Sequence, residues 1–324
     1  MRRNSWLAWT TAVVALAGAA STAHAMDYLN IIDPANPTFT QALGINGSDT
    51  IVGYGNAITF DGFVLALPPV PSNFTRENFP GATGGTQVVG IDAAGDTVGF
   101  YVNPDGSNHG FFKPSGGAFT TVDQPGSVFD QLLGINQAGN EIAGYSSFTD
   151  PTGATGQQAF SLIRSTSTYT NINALLPANF NSQATGVSDA GTVVGFYIYD
   201  TTGDSSAFVD AAGVITSFQY PGSTNTMALG INDIGEIVGD YTLANGNMFG
   251  FLDNRGIFSS LDPFGSTMVT ANGINDNGRI VGFYTNAIGN TIGFVTPAPE
   301  PASLALLGTA LIGLAVTRRR RRSM

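Results

Sequence analysis

The chain has 324 residues, of which 43% are hydrophobic and only 11% are charged, and acidic side chains outnumber basic ones by 23 to 12. This composition, with 22 Phe and 10 Tyr, indicates a packed core and excludes a disordered polymer. The absence of Cys excludes disulfides, Cys-bound zinc, iron–sulfur clusters and thiol catalysis, and the presence of only two His disfavours multi-His metal sites and His-based triads.

Residues 1–25 predict a secretory signal peptide. Arg2 and Arg3 precede an apolar run over residues 12–17, and the segment ends on the small-residue pattern Ala23-His24-Ala25. Cleavage is expected after Ala25, so the exported protein would begin at Met26. Its single histidine would then be His109.

Residues 26–297 carry a repeat with a period near 44 residues, which predicts a single repeat domain. A phrase of the Gly-Ile-Asn type recurs six times, with its glycine at Gly44, Gly90, Gly134, Gly186, Gly230 and Gly273. A second phrase of the Val-Gly-Tyr type follows nine residues later, after an Asx-rich turn that contains glycine in five of the six copies, so the two phrases predict a β-hairpin. The third copy needs ten residues, which predicts a one-residue bulge.

Two further strands are predicted in each repeat. A small residue followed by Phe marks the third strand, and a strand that ends in Pro or Gly marks the fourth. The third repeat also carries a longer insertion around residues 148–158, for which the sequence suggests no role.

The two edges of the repeat array complement each other. The sixth repeat stops after its third strand, whereas the exported chain begins with a strand in which Leu29 is predicted to match Phe119 and Ile32 to match Val122. We therefore predict an all-β fold, a six-bladed β-propeller with four-stranded blades whose ring is closed by the N-terminal strand. An open β-solenoid is the alternative.

These repeats, with their Gly-Ile-Asn and Ile-Val-Gly-Tyr phrases, resemble the HAF family of bacterial extracellular repeats over nearly all of residues 28–295. The resemblance implies an exported repeat protein and assigns no particular activity.

Residues 298–324 form a tail of three parts in a fixed order. Pro299, Glu300 and Pro301 come first, the fifteen uncharged residues 302–316 follow, and the chain then carries Arg318, Arg319, Arg320, Arg321 and Arg322. The apolar run is shorter than the ~20 residues that usually span a bilayer, but snorkelling arginines extend its reach, so a short transmembrane helix is predicted. The positive-inside rule places the arginines in the cytoplasm and the globular part outside.

This tail resembles the PEP-CTERM sorting signal of Gram-negative bacteria. The resemblance implies an exosortase-type membrane protease as a partner, an inner-membrane intermediate, removal of the tail, and delivery to the cell surface or exopolysaccharide matrix. The alternative is a permanent C-terminal membrane anchor.

The charge of the exported part bears on its partners. Without both ends, the basic residues fall from 12 to 5 and the acidic residues from 23 to 22, so the net charge is near −17. Such a body repels nucleic acid and anionic lipid, and neither is expected as a partner beyond the membrane contact of the tail. Exopolysaccharide is the candidate partner.

Three groups of residues are candidates for functional sites. Calcium binding by Asp92, Asp189, Asp233 and Asp276 is disfavoured, because these residues fit turns that bond their own backbone and no Asp-x-Asp-x-Asp loop is present. His109 is expected to face solvent in a turn, because the sequence shows no recognisable partner for it. Six tyrosines are expected to pack between blades rather than to stack on sugars: Tyr54, Tyr101, Tyr145, Tyr197, Tyr241 and Tyr284.

The sequence thus predicts a non-catalytic surface or matrix scaffold or binding module, with no catalytic, cofactor-binding or metal-binding residue. No carboxylate pair was found to depart from the sixfold pattern in a way that marks a site. The alternatives are a propeller glycosidase that uses an Asp/Glu pair and a lectin-like glycan binder.

Overall fold

The computed structural model of the chain describes residues 28–149, 155–172, 176, 180–199, 202–263 and 266–297. The predicted signal peptide with Ala23 and Ala25, and the tail with Pro299, Glu300, Pro301 and the arginine cluster, lie outside these residues. Across the described part of the chain, no helix has the length and apolar character needed to cross a membrane. The predicted membrane-spanning run 302–316 lies outside it.

The described residues form 24 β-strands and one short 3₁₀ helix, Pro71–Asn73. The first sheet contains Thr40–Ile45 (β2), Thr50–Gly55 (β3), Asp61–Ala66 (β4) and Phe74–Arg76 (β5). The second contains Gly85–Ile91 (β6), Thr97–Val102 (β7), Asn108–Lys113 (β8) and Thr120–Thr121 (β9). The third contains Asp130–Ile135 (β10), Glu141–Thr149 (β11), Thr155–Ile163 (β12) and Thr168–Asn171 (β13). The fourth contains Phe180–Val187 (β14), Val193–Tyr199 (β15), Ser205–Ala211 (β16) and Val214–Phe218 (β17).

The remaining eight strands form one continuous sheet. They are Leu29–Ile31 (β1), Ser223–Ile231 (β18), Glu236–Leu243 (β19), Met248–Asn254 (β20), Ile257–Leu261 (β21), Ser266–Ile274 (β22), Ile280–Asn286 (β23) and Thr291–Val295 (β24). The prediction of six separate blades was wrong in this respect. The propeller arrangement has four separate four-stranded sheets, and the fifth and sixth repeats are fused because Met248 in β20 pairs in parallel with Met268 in β22.

The N-terminal strand pairs with the last repeat, but one residue away from the predicted register. Asn30 pairs with Phe294, as Thr121 does with Phe111, so Tyr28 rather than Leu29 matches Phe119. Ile31 is fully buried, whereas Leu29 and Ile32 are 47% and 42% exposed. The reason is the two-residue period of a strand, in which a one-residue slip exchanges the two faces.

Asp33 anchors this N-terminal segment to the first sheet. Its carboxylate is fully buried and accepts hydrogen bonds from the Arg76 guanidinium in β5. Burial raises the pKa of Asp33, but the hydrogen bonds from Arg76 and Asn36 outweigh it and hold the pKa below its ordinary value.

The six glycines of the first phrase form a ring around the centre of the molecule. A Cβ on Gly134 would lie 2.6 Å from the carbonyl oxygen of Thr185 and 3.0 Å from Cα of Gly186, and each of the other five likewise faces the glycine of the next repeat. The series returns to its start, since a Cβ on Gly273 would lie 3.2 Å from Cα of Gly44. Such contacts admit only glycine.

Each first strand contains a bulge at the residue before its ring glycine. The bulge predicted from the longer spacing in the third repeat is therefore misplaced. Ile135 pairs with Ile142, and the extra residue lies in the turn 136–141, which is one residue longer than the turn 92–96 of the second repeat.

The core lies between the sheets, and each repeat contributes one Phe from its third strand. These side chains are fully buried: Phe63, Phe111, Phe160, Phe208, Phe251 and Phe294. Each ring packs over a second-strand glycine, as Phe111 does over Gly99. In the third repeat the longer hairpin β11–β12 remains paired as far as Thr149 and Thr155.

Candidate functional site

A central cavity of about 520 Å³ lies on the axis of the repeats. Its wall is built from the third residue before each ring glycine, which is Gln in four repeats. The six residues are Gln41, Gln87, Gln131, Gln183, Met227 and Thr270. Because the same position of each first strand faces the axis, the repeat itself assembles a ring of carboxamides.

The four carboxamides are not equally engaged. Gln131 is held by Tyr145 and Asn108, and Gln183 donates to Gln157. Among the hydrogen bonds of the described residues, none involves the side chain of Gln41 or Gln87, and both side chains are half-buried. These two amides are therefore free to bind a ligand.

The bulged residues of the first strands line the deeper part of the cavity. Four of them are apolar, Leu43, Val89, Leu133 and Leu229, and two are polar, Thr185 and Asn272. Below them the glycine ring leaves a second space of only about 60 Å³, so the channel is wide on one side of the ring and constricted at it.

Asp240 breaks the repeat pattern inside this cavity. The residue after the second-strand glycine is aromatic in the other five repeats: Tyr54, Phe100, Tyr145, Phe196 and Phe283. Asp240 is 7% exposed and lines the cavity. Burial raises its pKa to about 7, which a hydrogen bond from the Thr270 side chain partly offsets.

A second acceptor lies in the same wall. Asn272, two residues after Thr270 in β22, has a buried Oδ1 atom without a hydrogen-bond partner. Of the described residues that line the cavity, Asp240 is the single ionisable one, and its carboxylate makes no ion pair within the described chain. Among the described residues, the cavity thus presents one carboxyl group without an ion pair, which suits a ligand that donates hydrogen bonds.

Sequence reasoning missed this site although the signal was present. In the phrase Val238-Gly239-Asp240-Tyr241, the acidic residue stands where Phe100 and Phe196 stand in their repeats. The expectation that no carboxylate departs from the repeat pattern considered pairs only. Asp240 departs alone.

The six tyrosines are all buried, with 4–8% exposure, so none presents a face to solvent. They occupy two registers rather than one. Tyr54 and Tyr145 pair with Gln41 and Gln131, whereas Tyr101 lies one residue further along its strand, as do Tyr197, Tyr241 and Tyr284. Burial raises the pKa of Tyr54 to about 12.

The expectation for His109 was wrong. His109 lies in β8, where its Nδ1 is 2.7 Å from Oδ2 of Asp123 and its Nε2 is 3.0 Å from Oγ of Ser107. Ser107, His109 and Asp123 are thus connected in the order of a Ser-His-Asp triad. However, Ser107 Oγ donates a hydrogen bond of 2.6 Å to Asp105, and the backbone N–H of Ser107 also donates to Asp105. Both the hydroxyl and the nearest oxyanion donor are therefore engaged, and the cluster ties the hairpin end together.

The four aspartates that were candidates for calcium binding accept hydrogen bonds from backbone amides. Asp92 accepts from its own turn. Asp189, Asp233 and Asp276 accept from the turn of the preceding repeat, for example Asp233 Oδ1 from the amide of Asp189 at 2.7 Å. Within the described residues, no three or more His, Asp or Glu side chains are grouped to hold a metal ion.

Comparison with known proteins identifies a PEP-CTERM protein-sorting motif at residues 297–322. The predicted residues Pro299, Glu300 and Pro301 and the arginine cluster fall within it. No curated protein matches the chain.

Solved structures support the propeller arrangement. The structure of putative TolB from Agrobacterium tumefaciens has a TM-score of 0.56 and 12% identity, with 82% of this chain and 92% of that chain covered. AofleA from Arthrobotrys oligospora has a TM-score of 0.50 and 10% identity, with 86% and 88% covered. TolB from Acinetobacter baumannii has a TM-score of 0.49 and 10% identity, with 82% and 66% covered, so this chain spans just under two thirds of that protein. At these identities the likeness concerns the fold alone.

Proposed function

We propose that the protein is an exported cell-surface or exopolysaccharide-matrix component, sorted by an exosortase-type system, whose propeller is a non-catalytic binding and scaffold module. The PEP-CTERM motif at residues 297–322 is the observation that carries this proposal. In this proposal the signal peptide 1–25 and the tail 298–324 are removed, and the domain 26–297 is delivered outside the cell.

The proposal includes a finer description of the domain. We count the eight-stranded sheet as two blades, which among the described residues are joined by the one bridge between Met248 and Met268, so that the closed glycine ring belongs to a six-bladed propeller of HAF-type repeats. An open solenoid does not account for the contact between Gly273 and Gly44.

The chemistry of the cavity supports binding rather than hydrolysis. A glycosidase of the usual kind needs two carboxyl groups on either side of the scissile bond, whereas Asp240 is the single carboxyl group among the described lining residues. A lectin-like role is favoured by the carboxamide ring, because amides donate and accept hydrogen bonds as sugar hydroxyls require.

Two measurements test the proposal. The intact mass of protein recovered from the envelope or matrix is expected to begin at Met26 and to lack Arg318–Arg322. A mass that retains the arginines would contradict sorting and leave a plain anchor. Incubation with the producing organism's exopolysaccharide is expected to release no new reducing ends, and turnover abolished by one Asp or Glu substitution would establish the glycosidase instead.

A further inference from the structure

The residues that line the central cavity depart from the repeat pattern in the fifth and sixth repeats. Four repeats place Gln on the wall, but the fifth and sixth place Met227 and Thr270, and the same two repeats supply Asp240 and Asn272. The carboxyl group therefore lies on the side of the fifth repeat, whereas the free amides of Gln41 and Gln87 lie in the first and second repeats.

Asp240 is costly where it stands. A carboxyl group that is 7% exposed and has no ion-pair partner among the described residues destabilises the fold relative to the aromatic residue found at this position in the other repeats. The Thr270 side chain gives it a hydrogen bond but no positive charge. A cationic group with N–H donors would supply that charge together with further hydrogen bonds.

The rest of the cavity indicates what carries that cation. The amides of Gln41 and Gln87 suit hydroxyl groups, and the rings of Phe100, Phe196 and Phe283 line the same space and can pack against C–H faces. A volume of about 520 Å³ is in the range of small-molecule sites and large enough for a monosaccharide. The strongly acidic character of the domain favours the approach of a cation.

We propose that the central cavity binds a sugar with a free amino group, whose ammonium pairs with Asp240 while its hydroxyls bond the amides of Gln41 and Gln87. This assignment rests on the proposed binding function and names its ligand class. Its failure would leave the exported scaffold intact, because sorting is tested separately by the mass of the exported protein.

The test is calorimetric titration of the purified full-length chain at pH 7 with three sugars that differ only at C2. Glucosamine carries an ammonium group, glucose a hydroxyl and N-acetylglucosamine an acetamide. We expect glucosamine to bind at least about tenfold more tightly than either of the others, as one well-placed charge-assisted hydrogen bond provides. Equal affinities, or no binding of glucosamine, would overturn the assignment.

Two variants and one further ligand locate the interaction. Asp240→Asn keeps the side-chain size and is expected to abolish the preference for glucosamine, whereas Asp105→Asn, in an exposed hairpin turn, is expected to retain it. Thermal unfolding of both variants establishes that they are folded. An unchanged preference in Asp240→Asn would overturn the role of Asp240, and binding of cyclohexylamine as tight as that of glucosamine would overturn the assignment to a sugar.

Discussion

The residues that line the central channel follow the sixfold repeat strictly at the constriction and less strictly in the wide part. At the constriction all six repeats place glycine at one position, and each glycine faces the backbone of the next. In the wide cavity only four repeats place Gln on the wall, and one repeat replaces an aromatic residue by Asp240. The glycine positions hold the ring together, and the departure at Asp240 places a single ionisable side chain among the described residues of the cavity wall.

Physical constraint explains the difference. Backbone atoms surround the ring glycines, so any side chain there would displace a neighbouring repeat. The cavity wall is under no such constraint, and an aromatic residue would serve packing better than a buried carboxyl group. Packing therefore does not account for Asp240, which we attribute to the proposed ligand.

The largest effect is expected from removing the N-terminal strand that closes the ring. Deletion of residues 26–38 removes the buried Ile31, the Tyr28 ring that packs edge-on against Phe294, and the Asp33 partner of Arg76. We expect a loss of about 5 kcal/mol in the free energy of unfolding, measured by chemical denaturation. Deletion of the tail 298–324 is the control and should leave the midpoint in place. An unchanged midpoint in the N-terminal deletion would show that β1 does not hold the ring.

The next effect concerns Asp240 and pH. Its pKa is raised from 3.8 to about 7, so between these values the folded protein holds a proton that the unfolded chain has released. The contribution of Asp240 to the free energy of unfolding is therefore largest below about pH 4. It falls by up to about 4 kcal/mol as the pH rises towards 7. Asp240→Asn should remove this fall, which appears as a difference between the two proteins in denaturation at pH 5 and pH 8. Parallel curves for the two proteins would exclude a buried, titrating Asp240.

A smaller effect tests the constriction. Gly134→Ala places a Cβ 2.6 Å from the carbonyl oxygen of Thr185 and should cost about 2–3 kcal/mol by overpacking. Gly47→Ala is the matched control, because its Cβ would meet only the Gln137 side chain at 3.8 Å, and it should change stability by less than about 0.5 kcal/mol. Equal effects of the two substitutions would argue against a closely packed glycine ring.

The sequence predicted the repeats, the hairpins and the pairing of the N-terminal strand, because turn glycines and alternating apolar residues act locally. It misplaced the register of the N-terminal strand by one residue. The reason is that Leu29 and Ile32, which are exposed, are as apolar as Ile31, which is buried. The partners of His109 were also missed, because Asp123 lies fourteen residues away and meets His109 only through strand pairing. Asp240 was visible in the sequence, but its burial and its hydrogen bond from Thr270 depend on how β19 and β22 meet.

The most direct test of the account is an NMR titration of the Asp240 side-chain carboxyl carbon, assigned by comparison with Asp240→Asn. We predict a midpoint near pH 7 in the free protein, which moves to lower pH when glucosamine is added because a bound ammonium favours the carboxylate. A midpoint near the ordinary value of an aspartate, about 4, that does not move with glucosamine would contradict it.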